Sequence, residues 1–359
     1  MLLEFIERHS MDLINFDECK RPDISKQKHY GGLSGNKEHI LIDGKNYFLK
    51  YPNKLTNIKD RYTNVVLSYT NSPLSEYLGS HIYEILGFNV HKTVLGVSEK
   101  RKHVLVACKD FLNPGDILDE FKNIKVSYAP TFDENENSSG SSCNFKNVLD
   151  SIQNNTFLQS IPGIESHFWN MFVVDALIGN SDRNNGNWGI IRHLDGTNEI
   201  SPIYDNGNSF NNKWDSNKFE QFIADNNKFK TEAFIGKTCI FTKTDKDGLE
   251  KPINPFKIIA SQEYPLLNEA IKRIVPKIFE SHEKIISLIN EIPENHLGIQ
   301  VITPIQKKFY RNIIRTRYND VLKPTYENLI NPEKKIEIKF KSNTLENRHN
   351  TENNWDLLR

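Results

Sequence analysis

The pattern of apolar and polar positions divides the chain into a first part of strand-like runs and tight turns and a longer second part with helical spacing. His39-Ile-Leu-Ile42 and Asn46-Tyr-Phe-Leu-Lys50 are apolar runs separated by Asp43-Gly44. An Asp-Gly step between such runs marks a hairpin, because both turn positions take positive φ. A glycine-rich stretch, Tyr30-Gly-Gly-Leu-Ser-Gly-Asn-Lys37, precedes it. From Ser72 to Gly87 the spacing of Leu74, Tyr77, Leu78, Ile82, Ile85 and Leu86 predicts a helix, with Ser72 as its cap, Pro73 in its first turn and Gly87 at its end. Lys92–Val97 and His103–Ala107 read as strands around the polar turn Ser98–Lys102, and Asp110-Phe-Leu-Asn-Pro-Gly115 breaks the pattern.

Beyond that break the helical period takes over. His167–Ile178 is apolar almost all round, as a buried helix is. Trp188–Arg192 and Ile200–Tyr204 flank Asp195-Gly196 as a second hairpin. Thr303-Pro-Ile-Gln306 is a capping box, followed by Ile305, Phe309 and Ile313 at helical spacing. Ile271–Ile289 is helical with an interruption expected at Pro276, and Lys334–Lys341 alternates like a strand. Residues 1–23 lead in with one short helix. The polar, serine-rich stretch 128–144 is expected to be mobile, its serines being candidate phosphoacceptors. The expected fold is α+β and two-lobed. Residues 1–110 form a small β-rich N-terminal lobe, 111–330 a larger, mainly helical C-terminal lobe, and 331–359 a loose tail.

Composition narrows the function classes. At 359 residues the chain exceeds the usual single core, which favours two lobes. With 37% hydrophobic and 26% charged residues it is a globular, soluble sequence. A formal net charge of zero gives no overall field to recruit nucleic acid or an anionic membrane, and no apolar run is long enough to span a bilayer. The first residues are too acidic for a Sec-type signal. Cys19, Cys108, Cys143 and Cys239 lie far apart and read as free thiols of a reducing compartment, so the protein is expected to be cytoplasmic as synthesised. The 11 histidines show no zinc-ligand spacing, so no transition metal is expected.

The chemistry lies in Ile178-Gly-Asn-Ser-Asp-Arg-Asn-Asn-Gly-Asn187 and Tyr204-Asp-Asn-Gly207. Asp182, an asparagine five positions on at Asn187, and a second carboxylate at Asp205 before Asn-Gly form the set that phosphoryl transfer from ATP requires. One carboxylate takes the proton of the attacking hydroxyl, and an amide and a carboxylate oxygen hold magnesium. Asn, Asp and Gly also cluster in ordinary polar turns. The order of the surrounding elements favours catalysis. A glycine loop can cradle phosphates with its backbone at Gly32, Ser34, Gly35 and Asn36. The second hairpin strand can carry Lys50 to the α- and β-phosphates. Glu76, near a helix start, can meet the helix dipole or pair with Lys50, and the pair is expected. The break after residue 109 is the expected hinge, with backbone near Ala107 and Lys109 facing an adenine edge.

With these residues in place the chain resembles the HipA-like serine/threonine kinases of bacteria, and among them the compact, secreted proinflammatory kinases of the cell-translocating kinase A type. Leu177-Ile-Gly-Asn-Ser-Asp-Arg-Asn-Asn-Gly-Asn187 with Pro202-Ile-Tyr-Asp205 is the most specific part. The resemblance implies a protein-kinase-like fold, ATP and Mg2+, and phosphorylation of protein serine or threonine, the kinase itself included. It implies Asp182 as base, Asn187 and Asp205 as metal ligands, Lys50 on the phosphates and Asp110 near the ribose. It also implies export without a classical signal peptide and a host-cell protein as substrate. The sequence departs from the family pattern in three ways. Asn184 stands where relatives often carry His, and Lys37 and His39 stand where they carry Gln and Lys. The extra N-terminal subdomain of the toxin kinases is missing, so no DNA-binding antitoxin partner is expected. A lipid or small-molecule kinase and a nucleotide-binding pseudokinase are the alternative readings.

Overall fold

The computed structural model describes residues 11, 13–22, 38–54, 70–129, 142–235, 239–333 and 336–338. Among them, the first part of the chain forms a five-stranded sheet from β1 (Ile14–Asn15), β2 (Glu38–Ile42), β3 (Lys45–Lys50), β4 (Thr93–Ser98) and β5 (His103–Lys109). Its strand order is β1-β4-β5-β3-β2, antiparallel except for the parallel β1–β4 pair. Asp43 and Gly44 have φ of 50° and 73°, so the β2–β3 turn has the expected geometry.

Alternation along the strands separates two cores. Leu49, Leu105 and Ala107 point to one face, where they pack with Phe16, Ile40 and Tyr47. Val106 and Cys108 point to the other, beneath α1 (Ser72–Ile85), which lies across β4 and β5. The N-cap of α1 is Asn71 rather than Ser72, and it makes no side-chain cap. Its amide instead donates to Trp214 O at 3.0 Å, tying the helix start to the second half of the chain. Pro73 lies in the first turn as expected, and Gly87 follows the helix at φ 84°.

After β5 the chain leaves this sheet. β6 (Ile117–Glu120) joins β7 (Gly189–Arg192) and β8 (Asn198–Ile200) in a separate three-stranded antiparallel sheet. The predicted second hairpin is present, but its return strand ends at Ile200, because Ile203 turns away to bridge Val90. Helices make up most of the remainder. α2 (Phe121–Tyr128), α3 (Phe145–Asn154) and α4 (Thr156–Gln159) precede the buried α5 (Ile164–Ile178). α6 (Ser216–Ala224), α7 (Asn226–Ile235) and α8 (Pro255–Ser261) follow, then α9 (Pro265–Glu280), α10 (His282–Glu291), α11 (Pro304–Arg317) and α12 (Lys323–Ile330).

Eleven of the 15 residues of α5 are buried, against α8, α9 and α11 among others. The capping box of Thr303 and Gln306 closes as the sequence predicts. Pro276 does not interrupt α9, which continues to Glu280. Burial of Ile271, Ile274, Val275 and Ile278 along one face offsets the lost hydrogen bond. Residues 336–338 are not a strand, since the Ile336 N–H donates to Asn328 Oδ1 at 2.6 Å beside α12. The rest of the run Lys334–Lys341, and most of residues 1–23, of the serine-rich stretch and of the tail, lie outside the described residues. No described helix is long and apolar enough to cross a membrane.

Gly189 shows how closely β6 is held to β7. A Cβ there would sit 2.3 Å from Asp119 O and 2.9 Å from Glu120 Cα, which are backbone atoms that cannot rotate aside. Gly189→Ala is therefore expected to lower stability by about 1–3 kcal/mol, measured by urea denaturation.

Candidate active site

The centre of the site is a buried ion pair. α5 is apolar except for a few positions, and Asp175, 6% exposed, is one of them. A carboxylate in such surroundings requires partners, and it receives several. Arg183 Nε donates to Asp175 Oδ2 at 2.8 Å and its Nη2 to Oδ1 at 3.2 Å. The Tyr83 hydroxyl and the Asn180 amide donate to Oδ1 at 2.8 and 3.2 Å. The remaining guanidinium hydrogens go to Asn187 O at 3.0 Å, Tyr204 O, and Asn206 Oδ1 at 2.6 Å. One side chain thus holds the helix end, the loop after it and the Asp205 turn together. Burial disfavours the guanidinium charge, but Asp175 outweighs it and raises the Arg183 pKa above its already high value.

On this support the loop takes a defined shape. Gly179, at φ 69°, ends α5, and Arg317 of α11 donates to Leu177 O at 3.0 Å behind it. Asp182 accepts from Asn184 Nδ2 at 3.1 Å and from Asn208 Nδ2 at 2.9 Å. Asn184 Oδ1 in turn accepts from the Gly186 N–H at 2.8 Å. Asn184 thus holds the Asp182 carboxylate against the loop backbone. Asn187 donates its amide to Asp182 O at 2.7 Å, which leaves its Oδ1 without a partner among the described residues.

Asp205 has φ 56°, a conformation that non-glycine residues adopt at a cost and that marks functional turns. Its carboxylate forms an ion pair with Lys50, whose ammonium also lies 3.0 Å from Glu76 Oε2. The Lys50–Glu76 pair expected from sequence is therefore present, with Asp205 as an added partner. Burial works against the lysine's charge, but Asp205 and Glu76 outweigh it and hold its pKa well above the usual range. Glu76 is buried as well. Lys50 and a hydrogen bond from His91 overcome that burial and keep its carboxyl far below the ordinary value.

Other expected residues fall differently. Ala107 is fully buried in the central strand, between Leu49 and Val94. The Lys109 N–H donates to Lys92 O at 2.8 Å, and that of Asp110 to Asn46 O at 3.2 Å. These backbone donors are held in the sheet, because β5 is paired on both sides to its end. The Asp110 carboxylate accepts from the Leu112 N–H at 3.0 Å and shapes the connection to β6. Gly32, Ser34, Gly35 and Asn36 lie outside the described residues.

Over 313 residues, 87% of this chain and 87% of its counterpart, the sequence is 30% identical to the serine/threonine-protein kinase CtkA of Helicobacter pylori. The chain belongs to the HipA-like serine/threonine kinases of the CtkA type. The crystal structure of the Helicobacter pylori proinflammatory kinase CtkA agrees, with a TM-score of 0.72 at 26% identity, covering 89% of this chain and 99% of that one. The HipA chain of a Shewanella oneidensis HipA–HipB–operator DNA complex is more distant, with a TM-score of 0.45 at 12% identity. No protein-family model matches the chain.

Within this kinase fold, sequence reasoning missed Asp175, Asn206, Asn208 and His91. A signal existed for Asp175, the one carboxylate of the apolar run His167–Ile178, eight positions before an arginine. None existed for the others, whose roles come from contacts across the fold. Asp175→Ala would leave the Arg183 guanidinium buried without its counter-charge, so a loss of about 3–5 kcal/mol is expected in chemical denaturation. The Glu76 carboxyl, with its folded pKa depressed, contributes stability that is complete above about pH 4.3 and declines as acid titrates toward the folded value. Glu76→Gln should therefore flatten the acid limb of a stability–pH curve below that pH.

Proposed function

We propose that the protein transfers the γ-phosphate of ATP to serine or threonine hydroxyls of proteins, its own chain included. The observation that carries this reading is that Lys50 reaches both Glu76 and Asp205, while Asn187 is locked onto the carbonyl of Asp182. One amine of the sheet thus meets the Asp205 turn, which Arg183 ties to the backbone of Asn187.

In this reading Asp182, held by Asn184 and Asn208, accepts the proton of the incoming hydroxyl. The hydroxyl oxygen bonds to the γ-phosphorus as the bridging P–O bond to ADP breaks. Lys50 is charged across the physiological range and lies on the phosphate side of the cleft, where its ammonium neutralises the nucleotide. The Asn187 Oδ1, freed by the way its amide is tied, and the Asp205 carboxylate are hard oxygen donors of the kind magnesium takes. They would hold that ion, which when bound supplies neutralisation of the transferring phosphoryl group. The two lobes would meet at the connection between Lys109 and Ile117. The acceptor would be a protein, and delivery to a host-cell protein belongs to the same proposal by likeness to the proinflammatory relative.

Incubation with γ-labelled ATP and magnesium, followed by mass spectrometry of the protein and a protein acceptor, tests the reading. Asp182→Asn is expected to lower kcat by at least about 10²-fold while the protein still folds. Transfer at the wild-type rate in that variant would refute the assignment. Label that reaches only a lipid or small molecule would replace protein with that acceptor class, and nucleotide binding without turnover in the wild type would indicate a pseudokinase.

A further inference from the structure

Behind the Lys50–Glu76 pair lies a second polar layer. His91, 2% exposed, follows α1 and precedes β4, and its backbone N–H donates to Ile203 O at 3.0 Å. Its Nε2 lies 2.8 Å from Glu76 Oε1 and 3.1 Å from Ser80 Oγ. A carboxylate can only accept, so Nε2 carries the proton and Glu76 receives it. Ser80 Oγ accepts in turn from Asn206 Nδ2 at 3.0 Å, and Asn206 Oδ1 accepts from Arg183. The buried chain Glu76–His91–Ser80–Asn206–Arg183–Asp175 therefore joins the carboxylate that orients Lys50 to the pair that fixes the catalytic loop.

Glu76 has two carboxylate oxygens and distinct uses for them. Oε2 faces Lys50 and Oε1 faces His91. Without His91, Oε1 would lose its hydrogen bond in a buried site, and the carboxylate would be free to rotate away from Lys50. Cys108 also lies close, and the ligand atoms of Glu76, His91 and Cys108 fall within 4.8 Å of one another. A metal is the weaker reading of that cluster, because the Lys50 ammonium already supplies the cation on the same carboxylate. The orphaned Nδ1 of His91 shows that the ring is placed for its other nitrogen.

We infer that His91 is a positioning residue for phosphoryl transfer: through Nε2 it fixes Glu76 in the orientation that holds Lys50, and through Ser80 and Asn206 it couples that orientation to the Asp205 turn. The inference rests on the kinase reading for its catalytic consequence and on geometry alone for its structural one. The side chain of Gln places its amide nitrogen as many bonds from Cβ as Nε2 of His, so His91→Gln can restore the donor, and His91→Leu cannot.

The test compares wild type, His91→Leu and His91→Gln in the full chain, by steady-state phosphotransfer and by crystal structures. His91→Leu is expected to show kcat about tenfold to a hundredfold lower, with the KM for ATP changed much less, and a Glu76 carboxylate turned out of hydrogen-bonding reach of Lys50. His91→Gln should recover most of kcat and the Lys50–Glu76 contact. An unchanged contact in His91→Leu, or equal losses in both variants, overturns the proposal. If His91→Leu does not fold, Ser80→Ala provides the second reading. It cuts the link to Asn206 and should lower kcat without weakening nucleotide binding, and wild-type kcat there overturns the coupling. A wild type without phosphotransfer would refute the kinase reading instead, and the structures would still decide whether His91 holds Glu76.

Discussion

The buried pair of Asp175 and Arg183 is the constraint on which the site depends. A guanidinium has five N–H donors in a planar fork, and removing it from water is costly unless they are used. Here they reach a helix side chain, two backbone carbonyls and an amide oxygen from three separate segments. Buried ion pairs are poor sources of net stability, but an arrangement that separated these segments would leave a buried charge unpaired. The loop carrying Asp182 and Asn187 and the turn carrying Asp205 therefore have one relative placement.

The second constraint crosses between the sheet and the helical part. Lys50 stands on β3, Glu76 on α1 and Asp205 on the turn, and the amine neutralises both carboxylates. The turn is held to α1 by further contacts. Ser75 Oγ donates to Ser209 O at 2.9 Å, and the Asn71 N–H to Asn212 O at 2.7 Å. Gly207 lies close enough to α1 that a Cβ would come 3.3 Å from Glu76 Oε2. Helix, turn and loop form one hydrogen-bonded block, and within it Glu76 faces Lys50.

Much of the architecture was legible in order along the chain. The β2–β3 hairpin followed from Asp43-Gly44, the start of α11 from its capping box, and the burial of α5 from its all-round apolar character. These are local signals, set by φ preferences and by the spacing of side chains three or four residues apart. Where they misled, a longer-range contact won. Asn71 displaced Ser72 as the cap because Trp214 O was within reach. Pro276 stayed inside α9 because the helix is held by its other face, where Ile271, Ile274, Val275 and Ile278 are buried.

The same division runs through the site. The sequence by itself determined which chemical groups are available and in what order: Lys50, Glu76, then Asp182 with Asn187 five positions on, then Asp205 before Asn-Gly. Spacing within a loop is fixed by covalent geometry, so that part can be read directly. The tertiary structure decided what orients those groups. His91, Ser80, Asn206 and Asn208 act across sequence separations that no local pattern records. Their roles exist because burial removes water as a competitor, and each polar group must then find its partner wherever the fold brings one.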